Sequence, residues 1–377
     1  MQILVDANLP LAEELCQLVC AERPVTISSF SERQPSAEQL AVAEVLWVRS
    51  VTRVDAALLR HAPNLKWVAT GTIGTEHIDQ AALAAAGVAF SHTPGVNAQA
   101  VGDYVLSAVA ALSLAHGGLP QGEVAIVGAG HTGRAAGARL AALGLTVHYY
   151  DPLLSAQPAG DSDITPHADW QRVLNSAVIS CHVPLSHDGP HATYHLFDQQ
   201  QLAQLRPDCW FINASRGAVV SEAAVRQAIV RGQRLQWVFD VWEFEPQVPA
   251  DLLPHIALAT AHIAGHSLAG KVGASWQLAE QLRQRLGSEA QLPPLAALLA
   301  RWQLPQYHGA TELKHWRALA SAVLALYDIR LDDRQLRQHG LTPAGFDGLR
   351  KNYHPRVELL SAGLPLLANG KQHVSAL

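Results

Sequence analysis

The chain has 377 residues, 49% of them apolar and 16% charged, which is enough apolar material for two or three folded domains and too little charge for intrinsic disorder. The 27 Lys and Arg against 32 Asp and Glu give a net charge of −5, which argues against a chain-wide surface for nucleic acid. Four cysteines are too few for a disulfide framework, and the 19 histidines are scattered along the chain. The chain begins with a strand-like run, and the uncharged stretch on the helix after Asn97, residues 104–115, is shorter than a membrane span. We therefore expect a cytoplasmic protein with no metal and with neither a nucleic-acid nor a membrane partner.

Short apolar runs alternate with helical segments over the first ninety or so residues. This alternation is typical of a parallel α/β sheet. A long helix rich in Ala, Leu and Val follows at residues 97–116, and Gly117, Gly118 and Pro120 end it. The strands predicted in this part are residues 3–5, 45–48, 65–69 and 88–90.

A second α/β series begins at Glu123, and its six predicted strands match a doubly wound sheet. The strand rhythm stops after about residue 285, and the remainder is mostly helical, most clearly at residues 312–327. We predict three domains: residues 1–93 with 266–285, residues 94–265, and residues 286–377. The predicted strands of the second series are residues 124–127, 145–150, 177–182, 209–213, 236–241 and 256–259.

A glycine-rich turn follows the first strand of the second series. Gly128, Gly130 and Gly133 form a G-x-G-x-x-G that opens a helix. The glycines permit a tight turn and the close approach of a pyrophosphate, whose charge the helix N-terminus favours. Asp151 ends the next strand, where a carboxylate accepts hydrogen bonds from ribose hydroxyls and repels a 2′-phosphate. The pattern predicts that the cofactor is NAD rather than NADP.

Three polar side chains each follow a different later strand: Arg216, Glu245 and His262. Ligands of open α/β sheets bind beyond the carboxyl ends of the strands, so we expect these three to converge there. An arginine can clamp a carboxylate, and a histidine oriented by a carboxylate can act as general base for an alcohol. Asp240, at the end of the strand before Glu245, is predicted to meet the cofactor.

Polar residues also end two strands of the first series. Arg49 and Ser50 follow one strand, and Thr72 follows the next. Amides, hydroxyls and a guanidinium in such positions suit the anionic oxygens of a carboxylate or a phosphate. Ordinary strand-to-helix turns are the alternative interpretation.

Taken together, these motifs resemble those of the D-isomer-specific 2-hydroxyacid dehydrogenases over roughly residues 40–270. The resemblance implies two Rossmann-like parallel-sheet lobes, one flavodoxin-like and one dinucleotide-binding. Three stretches outside the common motifs extend it over essentially the whole chain, and they imply a small C-terminal α+β dimerisation domain and a homodimer. The segments that carry the resemblance are residues 128–133, 182–185, 213–217, 240–246 and 262–265, Asp151, and residues 3–10, 48–52 and 346–353.

The resemblance further implies NAD-dependent oxidation of a small phosphorylated 2-hydroxy acid at C2. Arg216 would bind the carboxylate and the C2 oxygen, His262 would accept the hydroxyl proton, and Glu245 would orient His262. Ser50, Thr72 and His266 match substrate-contacting positions, with Arg49 as a weaker candidate. The positions implied for the cofactor are Gly128, Gly130, His131, Thr132, Gly133, Asp151, Val183, Ala214, Ser215, Arg216, Asp240 and Gly265.

Two residues depart from the family pattern: His266 stands where a tyrosine is expected, and Val183 where a threonine is usual. We also predict that Arg350, from the partner subunit, helps to neutralise the substrate phosphate; a solvated basic turn is the alternative. Two other functions compete with the main prediction. One is a dehydrogenase of the phosphoglycerate, glyoxylate or lactate type, and the other is a non-catalytic NAD(H)-sensing protein resembling the transcriptional corepressors.

Overall fold

The computed structural model describes residues 1–157, 163–310, 313, 315–354 and 356–365. It contains two sheets in which every strand pair is parallel, which confirms the prediction of two parallel-sheet α/β lobes. The chain divides into two compact units. The first unit comprises Met1–Asn97 and Leu268–Gln303, and the second comprises Ala98–Ser267 and Leu304–Leu377.

The first unit is built on a five-stranded sheet with strand order β2-β1-β3-β4-β5. Its centre is apolar because Trp47 and Trp67, on neighbouring strands, are fully buried and pack edge to face, 6.2 Å between ring centroids. Its elements are β1 (Gln2–Asp6), α1 (Ala12–Val19), β2 (Thr26–Phe30), α2 (Ala37–Val42), β3 (Val45–Val48), α3 (Ala56–Leu59), β4 (Trp67–Thr70), α4 (Gln80–Ala85), β5 (Ala89–His92), α11 (Leu268–Leu286) and α12 (Leu295–Leu299).

Strand β2 is absent from the strands predicted by the sequence. It lies at the edge of the sheet, and only Phe30 of its five residues is buried. An edge strand with so few buried side chains lacks the apolar run that identifies the central strands.

The second unit is built on a six-stranded sheet with strand order β11-β10-β9-β8-β6-β7. The chain reverses direction across the sheet beside β6, which is the topological switch point where such sheets bind nucleotides. Its elements are α5 (Ala98–His116), β6 (Val124–Val127), α6 (His131–Ala142), β7 (Val147–Tyr150), α7 (Pro152–Ser155), α8 (Trp170–Leu174), β8 (Val178–Cys181), α9 (Gln199–Ala203), β9 (Trp210–Asn213), α10 (Glu222–Val230), β10 (Gln236–Phe239), β11 (Ile256–Ala259), α13 (Trp316–Leu326), α14 (Ile329–His339) and α15 (Pro343–Lys351).

Helix α5 is the predicted long helix, and it is the central helix of the second unit. By length and composition alone it would pass for a membrane span, but 83% of its apolar window is buried inside the structure. Tyr104, Val105 and Leu106 have no exposed surface, as expected of a core helix.

The C-terminal region packs on this same core. Helices α13 and α14 contact α5, and α14 also contacts β11. Helix α13 begins at Trp316, and Glu312 of the helix predicted at 312–327 lies outside the described residues. Within the part of the chain that the structure describes, the residues after β11 form helices and no strand, so the β component of the expected α+β domain is not seen there.

Candidate active site

The predicted site residues of the second unit lie just after the carboxyl ends of the strands of its sheet. Gly128 follows β6, Val183 follows β8, Arg216 follows β9, Asp240 follows β10 and His262 follows β11. Because all these strands are parallel, their carboxyl ends face the same side. The strand order is therefore consistent with the predicted convergence of these residues, which stays a prediction.

His262 and Glu245 form a hydrogen-bonded pair, with 2.7 Å between His262 Nδ1 and Glu245 Oε2. The other Glu245 oxygen accepts a hydrogen bond of 3.0 Å from the Trp242 amide. A carboxylate opposite Nδ1 favours a proton on that nitrogen, which leaves Nε2 to exchange a proton with a reactant. Burial alone would raise the pKa of Glu245, but the charge and hydrogen bond of His262 and the Trp242 amide hold the pKa below its usual value. Glu245 is therefore an ionised partner for the imidazole.

Asp240 holds the backbone that carries His262. Its carboxylate accepts hydrogen bonds from the Thr260 hydroxyl (2.7 Å) and from the amides of Ile263 (2.8 Å) and Ala264 (2.9 Å). His262 has a φ of 54°, a left-handed conformation that costs energy in a residue other than glycine. Because Asp240 is 1% exposed, its visible role is to stabilise this turn, and the predicted contact with the cofactor stays a prediction.

Arg216 lies on a loop that is packed against the Glu245 loop. Gly217 makes this possible, because a Cβ atom there would overlap the Trp242 carbonyl and approach the Glu243 amide to 2.6 Å. The side chain of Asn213 ties the loop internally: its oxygen accepts from the Ser215 hydroxyl (2.7 Å), and its amide donates to the Arg216 carbonyl (3.0 Å). The loops that carry Arg216 and Glu245 are thus held in one backbone arrangement. Ala214 and Ser215, predicted to bind the cofactor, lie on the same loop.

The glycine-rich turn divides into two packed glycines and one open glycine. At Gly128 (φ 97°) a Cβ would lie 2.8 Å from the His182 carbonyl, and at Gly133 it would overlap the Gly128 carbonyl. At Gly130 nothing lies within 4 Å, and this residue is the N-cap of α6, whose first residues are His131 and Thr132. An open glycine at a helix N-terminus is the surface that a pyrophosphate requires.

Asp151 is tied to this turn, since one carboxylate oxygen accepts a hydrogen bond from the Ala129 amide (3.0 Å) and the other from the Leu154 amide (3.0 Å). Each oxygen retains a further lone pair for a ribose hydroxyl. The open glycine, the helix N-terminus and this carboxylate are therefore a donor and acceptor set that fits a dinucleotide.

His182 is a residue of this site to which the sequence assigned no role. It is 8% exposed, its Nε2 lies 2.8 Å from the Ser180 hydroxyl, and burial lowers its pKa to about 3. It is thus neutral at physiological pH, and its carbonyl occupies the space that a Cβ at Gly128 would need. Its presence in the segment 182–185 was the only signal in the sequence.

A second polar cluster lies at the strand ends of the first unit. Arg49 Nε donates to the fully buried Asp6 carboxylate at 2.9 Å, and Ser50 beside it is exposed. Lys271, on the first turn of α11, has a lowered pKa because of partial desolvation and, secondly, the positive charge of Arg49. Arg49 is thus paired with Asp6, and Lys271 lies within electrostatic reach of Arg49. Lys271 is not among the predicted site residues, since no local sequence pattern links it to Arg49.

Thr72 lies in a chain of hydroxyl hydrogen bonds. It donates to the Gly74 carbonyl (2.8 Å) and lies 2.8 Å from the Thr70 hydroxyl, which in turn lies 2.9 Å from His77 Nε2. Burial lowers the pKa of His77 to about 4, so this histidine is a neutral member of the chain at pH 7.

The chain is similar in sequence to known families and proteins. The family described as "D-isomer specific 2-hydroxyacid dehydrogenase, NAD binding domain" matches residues 96–264, and a domain of unknown function, DUF3410, matches residues 298–373. An erythronate-4-phosphate dehydrogenase of Idiomarina loihiensis is 45% identical over 96% of this chain and 93% of its own length. One of Tolumonas auensis is 38% identical over 99% of this chain and 98% of its own. The chain belongs to the D-isomer-specific 2-hydroxyacid dehydrogenases.

The solved structures agree with this family at the level of the fold. The NAD-bound 3-phosphoglycerate dehydrogenase of Entamoeba histolytica, 18% identical, superposes with a TM-score of 0.62 over 78% of this chain and 98% of its own. The cofactor of this dehydrogenase is NAD, as predicted, and the glycine turn, helix α6 and Asp151 fit that cofactor. Among the residues that the structure describes, no group of three or more His, Cys, Asp and Glu side chains is arranged to hold a metal ion.

Arg350 of this dehydrogenase acts electrostatically on the site of its own chain. Its positive charge is one of the causes that lower the pKa of Glu245. Its guanidinium lies 5.9 Å from the centroid of the Phe346 ring, on the same helix, α15. Arg350 was predicted to act at a partner's site, whereas its charge acts on Glu245 of its own chain; a contribution in trans stays a prediction.

His266, the departure from the expected tyrosine, lies just after Gly265 in the turn that carries His262. Its ring meets the edge of the Tyr353 ring, 5.7 Å between centroids. A tyrosine ring therefore lies beside the position from which the family tyrosine is missing, but it comes from the C-terminal region.

Proposed function

We propose that this dehydrogenase oxidises 4-phospho-D-erythronate at C2 to 2-oxo-3-hydroxy-4-phosphobutanoate, a step toward pyridoxal 5′-phosphate. The observation that carries the proposal is the ionised Glu245 paired with His262 at the same sheet edge as Arg216, in a chain whose near-full-length relatives carry the name erythronate-4-phosphate dehydrogenase. NAD, when bound, accepts the hydride that leaves C2.

In this reaction His262 Nε2 accepts the proton of the C2 hydroxyl as the C2–H bond breaks. The imidazolium that forms lies 2.7 Å from the Glu245 carboxylate, which compensates its charge. In the reverse direction the same nitrogen returns the proton to the carbonyl oxygen.

Arg216 is proposed to bind the substrate carboxylate and the C2 oxygen. A guanidinium does this well because its donors are coplanar and match two carboxylate oxygens. Arg216 then polarises the C2 oxygen while His262 removes the proton from that same oxygen. Positioning these two groups on one hydroxyl is the main contribution of the protein.

The proposed phosphate contacts lie in the first unit. Arg49 is paired with Asp6, and Lys271 lies within electrostatic reach of Arg49, so the charge of Lys271 makes this cluster net positive and suits it to a phosphate. Ser50 is proposed as a further contact. Thr72 requires an exchange of its hydrogen bond with the Gly74 carbonyl before it can donate to the substrate. His266 is proposed to donate where the family uses a tyrosine.

We further propose a cytoplasmic homodimer. One support is the resemblance of the C-terminal region to a dimerisation domain. The other is that residues 298–373 match a domain family of their own, in a chain that the relatives match over nearly its full length.

The test is NADH formation at 340 nm from NAD and 4-phospho-D-erythronate, beside D-erythronate, D-3-phosphoglycerate and D-lactate. Each reaction is run with and without a 2-oxo acid acceptor that reoxidises retained NADH. We expect a strong preference for 4-phospho-D-erythronate and a 10²- to 10⁴-fold loss of kcat in His262→Gln, of the order that general acid–base catalysis contributes. His255→Gln, at an exposed position, is the matched control.

Preference for another 2-hydroxy acid would overturn the substrate and keep the chemistry. Turnover of none of them by a protein that binds NAD would overturn the enzymatic function and favour the sensor interpretation.

A further inference from the structure

A buried arginine from the C-terminal region reaches the turn that carries His262. Arg356 is 3% exposed, and its Nη2 donates to the carbonyls of Ala264 (2.6 Å) and Ala100 (3.0 Å). Its guanidinium carbon lies 4.1 Å from the centroid of the Tyr327 ring. Burying a guanidinium is costly unless its donors are bonded. The turn is therefore held where the carbonyl of Ala264 can accept from Arg356.

Two residues further along, Glu358 holds the end of the same turn. It is 7% exposed, and its Oε1 accepts a hydrogen bond of 2.7 Å from the Ser267 hydroxyl. The next amide, of Leu359, donates to Asp103 on α5 at 2.8 Å. The segment is therefore attached to helix α5 on one side and to residues 264–267 on the other.

The two sides of the His262 turn are thus held by different parts of the chain. Asp240 binds the amides of Ile263 and Ala264, and Arg356 binds the carbonyl of Ala264. A turn whose catalytic residue has a φ of 54° needs such support, because an unsupported residue would relax to negative φ.

We propose that Arg356 and Glu358 are positioning residues for His262, so that the C-terminal region of the same chain sets the geometry of proton transfer. This inference rests on the proposed function for its catalytic readout. Arg356 acts through the carbonyl of Ala264, and Glu358 acts through the hydroxyl of Ser267.

Charge on Glu358 provides a second handle on the same turn. Burial and, further, the negative charge of Asp103 raise the pKa of Glu358 to about 7, against the Ser267 hydrogen bond and the positive charges of Arg356 and Arg139. Asp103 belongs to α5 and Arg139 to α6, and the two are paired at 2.7 Å. Ionisation of Glu358 near neutral pH therefore places a second negative charge beside Asp103, next to the Ser267 end of the turn.

The first experiment compares Arg356→Met with Arg337→Met. Arg337 is a matched control because it also bonds backbone carbonyls of the second unit, those of Leu253 and Ile256, but not the turn of His262. We expect Arg356→Met to lower kcat at least tenfold while the KM for substrate and the dissociation constant for NAD change less than twofold. We expect Arg337→Met to lower only the melting temperature.

Native-state hydrogen exchange supplies a readout that needs no substrate. In Arg356→Met the amides of Ile263 and Ala264 should exchange at least tenfold faster, with little change in strands β6 to β9. Unchanged exchange at these two amides, or an equal rise throughout the second unit, would overturn the positioning role. Failure of the proposed substrate would leave this readout intact, so the two proposals fail separately.

Glu358→Gln tests the inference if Arg356→Met does not fold. The amide oxygen still accepts from Ser267 but cannot ionise. We expect the ratio of the variant's kcat to the native kcat to change at least threefold between pH 6 and pH 8.5. A ratio that is constant across this range would show that Glu358 is not coupled to proton transfer.

Discussion

The strand ends of the two parallel sheets use polar residues in opposite ways. In the second unit they are saturated by the protein itself: Asp240 accepts three hydrogen bonds, and Glu245 is bonded to both His262 and the Trp242 amide. In the first unit Arg49 is paired with Asp6, Lys271 lies within electrostatic reach of Arg49, and Ser50 is exposed. Groups proposed to move a proton are thus held rigidly, whereas groups proposed to hold an anion keep an excess of positive charge that a ligand can relieve.

The largest effect is expected for the rigidly held loops of the second unit. Gly217→Ala introduces a methyl group that overlaps the Trp242 carbonyl, so the Arg216 and Glu245 loops must separate. We expect a loss of kcat/KM of about 10³-fold or more, since small misplacements of catalytic groups alone cost about 10²-fold. Steady-state kinetics with circular dichroism to verify folding would measure it.

Gly118→Ala is the control for this substitution, because nothing lies within 4 Å of a Cβ at Gly118. Near-native activity of Gly217→Ala would contradict the claim that packing of these two loops positions Arg216.

An intermediate effect is expected for the cationic cluster of the first unit. Lys271→Gln removes one of the two proposed phosphate-binding cations, so kcat/KM for 4-phospho-D-erythronate should fall about 10-fold or more, the loss of one charge-assisted contact. The residual rate with unphosphorylated D-erythronate should stay unchanged.

Lys66→Gln is the matched control, since Lys66 is exposed and paired with Glu44 at 2.6 Å. Equal losses for the phosphorylated and unphosphorylated substrates in Lys271→Gln would show that Lys271 does not recognise the phosphate.

The smallest effect concerns the support of Thr72. His77 has a pKa of about 4 in the folded protein against an ordinary value of 6.5, because burial disfavours its charged form. The unfolded chain therefore binds a proton below pH 6.5 that the folded chain does not, and stability falls as the pH drops from 6.5 toward 4. For this half-buried group we expect a contribution of about 1–2 kcal/mol.

Hydrogen exchange of the amides of strand β4 would report this stability locally, and His77→Asn should flatten its dependence on pH. His61→Asn, at an exposed position, should not. A β4 profile equally steep in His77→Asn and in the native protein would assign the acid sensitivity to other groups, such as the buried His148 and His182, whose pKa values are about 4 and about 3.

Local patterns accounted for most of the fold and pointed to both members of the His262–Glu245 hydrogen-bonded pair. Strand–helix alternation predicted both parallel sheets, and the structure confirms them. The prediction of the sheets succeeded because period, spacing and strand order are encoded over short stretches of chain. The rule that ligands bind at carboxyl strand ends predicts that Arg216 joins Glu245 and His262, and this stays a prediction. The edge strand β2 was missed because it has little buried surface to create such a pattern.

The amino-acid sequence by itself therefore determined the family, the cofactor and the parallel architecture that gathers the site. Only the tertiary structure showed that Arg356 binds the carbonyl of Ala264, that Lys271 lies within electrostatic reach of Arg49, and that Gly217 packs under Trp242. The identity of a residue gives its charge and size. The group that pairs with a buried charge, or that packs against a glycine where a Cβ would otherwise lie, is determined by packing between distant parts of the chain.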